Sequence, residues 1–101
     1  MSEGEVLAIR LNETDDVAVV LGAVATGQSV RVAGKGPPVT VSAREPVPQH
    51  HKIALTAIRK GSDVVRSGMI IGRAIEAIDA GRCVHVHNLV SRRGGRDEVD
   101  G

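Results

Sequence analysis

Short runs rich in Val, cut by Gly and Pro at close intervals, constrain this chain more than any other feature. Residues 6–11 alternate apolar with other side chains, and residues 17–21 form a second Val-rich run after Asp15-Asp16. Residues 29–33 and 39–42 are further strand-like runs around a Gly/Pro loop at 34–38, with a turn expected at 22–27. β-Branched side chains pack well on a pleated surface, and runs this brief suit strands better than helices. Pro46 and Pro48 impose an extended approach to His50, and Lys60-Gly61 and Ser67-Gly68 mark turns around a strand at 63–65. The pattern predicts a small, irregular all-β domain. One passage competes: Ile71, Ala74, Ile75 and Ile78 fall at helical spacing and Gly81 could cap a helix. The passage is therefore ambiguous, open to a helical segment of no more than about two turns within residues 73–80, after a run at 69–77 and before a turn at 78–81.

The 101 residues contain no Trp, Tyr or Phe, so the core must be built from Val, Ile, Leu and Ala. The large burial terms of aromatic rings are missing, and a partner that covers apolar surface would compensate. A formal net charge of +1 and the lack of aromatic stacking platforms argue against nucleic-acid binding. The Arg-rich end is the local exception. The single cysteine, Cys83, excludes an intrachain disulfide and is expected to be a small buried hydrophobe in a cytoplasmic protein. The start carries Glu3 and Glu5 rather than a basic, then apolar, segment, so no targeting sequence is expected; no run is long enough to span a bilayer. The expected organisation is one domain over residues 1–93 with a flexible tail at 94–101.

All four histidines lie in two short segments, His50-His51 and His85-Val86-His87. Read as a strand, residues 84–88 place His85 and His87 on one face and Val84 and Val86 on the other, toward a core. Adjacent His50 and His51 point to opposite faces of an extended chain, so only one of them can join a shared site. Extended geometry alone does not choose between them. Histidine titrates near neutrality and serves as acid, base or metal ligand.

These segments carry a resemblance. Pro48-Gln49-His50-His51-Lys52-Ile53-Ala54-Leu55, then Ile58-Arg59-Lys60-Gly61, then Arg66-Ser67-Gly68-Met69-Ile70-Ile71-Gly72-Arg73-Ala74, then Ile78-Asp79-Ala80-Gly81 with Val84-His85-Val86-His87-Asn88, resemble the SAF domain of the altronate and galactarate dehydratase family. The likeness extends to the stand-alone form, the small subunit of two-subunit altronate dehydratases and of sulfolactate sulfo-lyase. The family's Lys-Tyr-Gly is Arg66-Ser67-Gly68 here. The resemblance implies a β-clip fold, which agrees with the strand-and-turn reading.

It also implies a hydro-lyase subunit, active only with a large dehydratase-type catalytic partner, that converts a sugar acid to a 2-keto-3-deoxy acid. Bisulfite elimination from sulfolactate is the alternative, and a non-catalytic β-clip binding module the second class of reading. Dehydration removes a weakly acidic proton beside a carboxylate and expels hydroxide, which calls for an acid, a base and charge stabilisation. His85, His87 and His51 are the candidate catalytic residues. Lys52, Asn88, Ser91 and Arg92 are the candidate substrate-binding residues. Each has a plainer reading: Lys52 as a solvated charge, Asn88 as a turn cap, and Arg92 with Arg93 as a basic rim for the partner. A divalent metal, iron, magnesium or manganese, is implied, with His85 and His87 as possible ligands. The carboxylates of this chain are scattered, so most of that cage is expected on the larger partner. The isolated chain could self-associate, and neither nucleic acid nor membrane is an expected partner.

Overall fold

The computed structural model describes residues 4–91. Among these the strands are β1 (Val6–Arg10), β2 (Val17–Val20), β3 (Ser29–Gly34), β4 (Val39–Ser42), β5 (Lys52–Ala54), β6 (Asp63–Arg66), β7 (Met69–Ala74), β8 (Cys83–Val84) and β9 (Leu89–Ser91). They build a six-stranded sheet in the order β4-β3-β1-β2-β5-β8 and a three-stranded sheet in the order β6-β7-β9. All pairings are antiparallel except β1 with β3. This is the all-β architecture expected from the short Val-rich runs, and it is that of a small β-clip domain.

Alternation explains how the strands are used. On β3, Val30 and Val32 are buried while Arg31 between them is exposed. Ala8, Ala18, Val20, Val30, Val32, Val47, Ile53 and Cys83 belong to one apolar cluster. Val17, Ala54, Ile58, Val64, Ala74, Ile78 and Val84 form a second. Neighbouring residues on β2 (Val17, Ala18) and on β5 (Ile53, Ala54) enter different clusters, so the middle of the larger sheet is covered on both faces. Every side chain in the two clusters is aliphatic or Cys, and each fully buried Val or Ile contributes roughly 1.5–3 kcal/mol.

One turn recurs four times, which the sequence reading did not anticipate. Val24, Val47, Ile58 and Ile78 are buried and bridge in pairs, Val24 with Val47 and Ile58 with Ile78. After each comes a β-turn in which the fourth residue's N–H donates to the first residue's carbonyl: Gln28 to Ala25, His51 to Pro48, Ser62 to Arg59 and Arg82 to Asp79, at 3.0–3.2 Å. The third residue has positive φ in every copy: Gly27 (+88°), His50 (+69°), Gly61 (+86°) and Gly81 (+94°). This is the pattern of a type II turn, whose third position favours glycine. His50 is the one exception among the four.

The smaller sheet is tied to the larger by two adjacent aspartates. Ser67 (φ +57°) and Gly68 (φ +76°) form the tight hairpin between β6 and β7. Both of their N–H groups donate to the Asp15 carboxylate at 2.8 Å, and the Asn12 N–H donates to it at 3.1 Å. Asp16 exchanges backbone and side-chain bonds with Val65, each 2.9 Å.

The ambiguous passage is settled and one expectation is corrected. No helix forms at residues 73–80: β7 continues to Ala74, and Ile78 pairs with Ile58 through two bonds of 2.8 Å. The helical spacing of Ile71, Ala74, Ile75 and Ile78 is produced by a strand that ends in a bridged turn. The strand expected at residues 84–88 stops at Val84, and Val86 is 77% exposed rather than in the core. The tail at 94–101, and Arg92 with Arg93, lie outside the described residues.

Candidate functional site

The edge pairing of β5 with β8 builds the site. Lys52 lies opposite Val84 and Ile53 opposite Cys83 in antiparallel register. His51 just before β5 and His85 just after β8 are therefore brought side by side. Their ring centroids are 4.4 Å apart, with the planes tilted by 49°. The imidazoles that meet are thus His51 and His85, not His85 and His87 on a common strand face.

The chain turns sharply after His85 because Asn88 holds it. Asn88 is fully buried; its Oδ1 accepts from the His85 N–H at 3.0 Å and its Nδ2 donates to the Cys83 carbonyl at 2.8 Å. Its own N–H donates to the His85 carbonyl at 3.0 Å, and its carbonyl accepts from Ile75 N–H at 3.1 Å. The geometry fits the turn-capping reading of Asn88, and its amide fixes the direction in which His85 leaves the sheet.

Nδ1 of His51 lies 3.3 Å from the Gln49 carbonyl oxygen. A carbonyl can only accept, so this contact calls for a proton on Nδ1 of His51. The His85 pKa is pushed below the ordinary histidine range, first by desolvation and then by the nearby His51, Lys52 and His87. It is therefore neutral at pH 7 and able to take a proton. His85, His87 and His50 are exposed, and His51 is half-buried.

Lys52 is half-buried, and burial, followed by the charge of Arg66, lowers its pKa; Cys83 acts weakly in the opposite sense. Arg66 ends β6 and stands opposite Met69 at the hairpin. Sequence reasoning had marked Arg66 only as a departure from a motif; its nearness to Lys52 depends on how the two sheets pack. Cys83 is buried, and burial and then Glu45 raise its thiol pKa, so it is a neutral core residue as expected. Backbone pairing places Ser91 of β9 opposite Gly72 of β7. Arg92 lies outside the described residues.

Among the described residues no three His, Cys, Asp or Glu side chains come together as a metal cage. The two imidazoles in contact are accompanied by Lys52, a cation that disfavours a second cation beside it. These residues do not fit a divalent metal site of their own.

The sequence signature of the altronate/galactarate dehydratase SAF domain matches residues 6–92. The chain belongs to this family. It is 42% identical over 90 residues to the altronate dehydratase of Escherichia coli (strain K12), a match that covers 89% of this chain and 17% of that protein. It is 28% identical over 87 residues to the (2R)-sulfolactate sulfo-lyase subunit alpha of Chromohalobacter salexigens, covering 82% of this chain and 93% of the subunit. A second subunit alpha, from Paracoccus pantotrophus, is 32% identical over 53 residues and is covered to 79%. The chain thus spans under a fifth of the altronate dehydratase and nearly all of one subunit alpha. These relatives are a dehydratase and two lyase subunits, and the SAF fold agrees with the strands and turns described. No helix of the described residues is long and apolar enough to cross a membrane.

Proposed function

We propose that this SAF domain is the small subunit of a two-subunit hydroxy-acid lyase and completes the active site of a larger dehydratase-type partner. The contact between His51 and His85 is the observation that carries this reading. A neutral His85 is poised to accept a proton, and the His51 ring stands beside it. Acting on a sugar acid of the altronate or galactarate type, one imidazole takes the proton from the carbon beside the carboxylate. The imidazolium so formed returns that proton, directly or through the ring beside it, to the departing β-hydroxyl, which leaves as water. The enol that remains becomes a 2-keto-3-deoxy acid. Lys52 sits where it can offset the negative charge that develops on the substrate carboxylate, and Asn88 positions His85. A divalent metal belongs to the larger partner in this scheme, because the residues here do not form a cage for one.

The near-complete coverage of a sulfolactate sulfo-lyase subunit alpha favours a second reading, in which bisulfite replaces water as the leaving group. Co-expression with a dehydratase-type large subunit, followed by assay on altronate, galactarate and sulfolactate, separates the two. The isolated chain should turn over none of them. His51→Ala and His85→Ala should each lower kcat of the assembled enzyme by roughly 100-fold while leaving assembly intact. Normal turnover by both variants in a complex of normal affinity would reduce the domain to a structural module.

A further inference from the structure

Arg66 has no role in the scheme above, yet its position needs an explanation. It ends β6, and the N–H groups of the two residues after it, Ser67 and Gly68, are pinned by the Asp15 carboxylate. The Arg66 Nε is buried without a hydrogen-bond partner among the described residues. The ion pairs there are Arg31–Glu5, Arg44–Asp79 and Arg82–Glu45, none of which includes Arg66. Its charge instead acts on Lys52, which in turn acts on His85. A rigid hairpin thus holds a guanidinium near an ammonium, with no carboxylate paired to it among the described residues. Like charges repel and an unpaired buried donor is costly, so an arrangement of this kind is relieved by a bound anion.

We propose that Arg66 and Lys52 together bind the carboxylate of a small hydroxy-acid ligand and orient it toward His51 and His85. The proposal rests on the lyase reading for its substrate class. The anion site itself is a property of this chain. A planar carboxylate accepts two parallel bonds from a guanidinium, a geometry that Lys cannot reproduce.

The test uses the full chain, labelled with ¹³C and ¹⁵N, titrated at constant ionic strength with glycerate, a minimal 2,3-dihydroxy acid. Glycerol serves as the uncharged control. The Arg66 Nε–H signal and the His51 and His85 ring signals should shift saturably with glycerate and not with glycerol. Arg66→Gln should weaken glycerate binding by about tenfold or more, Arg66→Lys by less, and exposed Arg59→Gln not at all. Absence of a saturable shift at Arg66 in the unmodified chain would overturn the proposal, and so would unchanged binding by a folded Arg66→Gln variant. In the assembled enzyme Arg66→Gln should raise KM by about tenfold and largely spare kcat. Glycerate binding through Arg66 in a complex that turns over none of the acids would leave the anion site standing and remove the lyase reading. An active complex indifferent to Arg66 would do the reverse.

Discussion

His50 occupies in its turn the position that Gly61 occupies in the next copy, with φ of +69° against +86°. The Cβ of an L-residue is strained in this region, and glycine is the residue that relieves it. The turn of residues 48–51 therefore carries a local cost that the other three copies avoid, directly before the imidazole of His51.

His50→Gly should stabilise the chain. Relief of left-handed strain is partly offset by the greater freedom of glycine in the unfolded state, so a net gain of about 0.5–1 kcal/mol is expected. Urea unfolding followed by far-UV circular dichroism checks it. A loss of stability would mean that the His50 side chain contributes contacts exceeding its strain.

Asn88→Ala should destabilise far more than its size suggests. The His85 N–H and the Cys83 carbonyl would lose their partners around a fully buried side chain, a cost of about 2–4 kcal/mol. In a folded variant the contact between the His51 and His85 rings should weaken, seen as loss of the nuclear Overhauser effect between their ring protons. Retention of that effect would show that Asn88 does not position His85.

The His85 ring should titrate below the ordinary histidine value of about 6.5. Lys52→Met and His51→Ala should each raise its pKa, since each removes a neighbour that opposes the imidazolium. A depressed folded pKa means that the unfolded chain binds the proton more readily. The His85 contribution therefore lowers folding stability as pH falls from about 6.5 through the folded value. Ring-proton shifts against pH measure the first effect, and unfolding curves across that window measure the second.

Asp15→Ala should loosen the β6–β7 hairpin. Three hydrogen bonds to a buried carboxylate, from the N–H groups of Ser67, Gly68 and Asn12, are lost, and a destabilisation of about 2–3 kcal/mol is expected. The Arg66 Nε–H signal should broaden with it. A change under 0.5 kcal/mol, judged against the usual range for surface substitutions, would show that the clamp is dispensable.

The strands of the larger sheet were legible because Val and Thr alternate or cluster there between Gly and Pro, as at residues 29–33 and 39–42. The end of β8 was not, because Val84-His85-Val86-His87 alternates as a strand would. The turn is imposed by Asn88, whose two side-chain bonds are visible only after folding. Likewise the spacing of Ile71 and Ala74 with Ile75 and Ile78 is equally compatible with helix and with a strand that turns into a bridge. The conjunction of His51 with His85 depends on a register between distant segments, so local pattern could name both residues but not pair them. The turn repeat was present in the sequence as Val/Ile followed three residues later by Gly, obscured where His50 replaces it.

The strand that leads into His85 is two residues long and closes the edge of its sheet. Edge segments so short open and reclose without the rest of the molecule unfolding, and their amides exchange with solvent through such local excursions. Each excursion separates the two imidazoles while leaving the cores intact. A partner seated over this edge would suppress the opening, so slowed exchange at Cys83, Val84 and His85 on assembly would register the conversion of an intermittent pair of imidazoles into a permanent one.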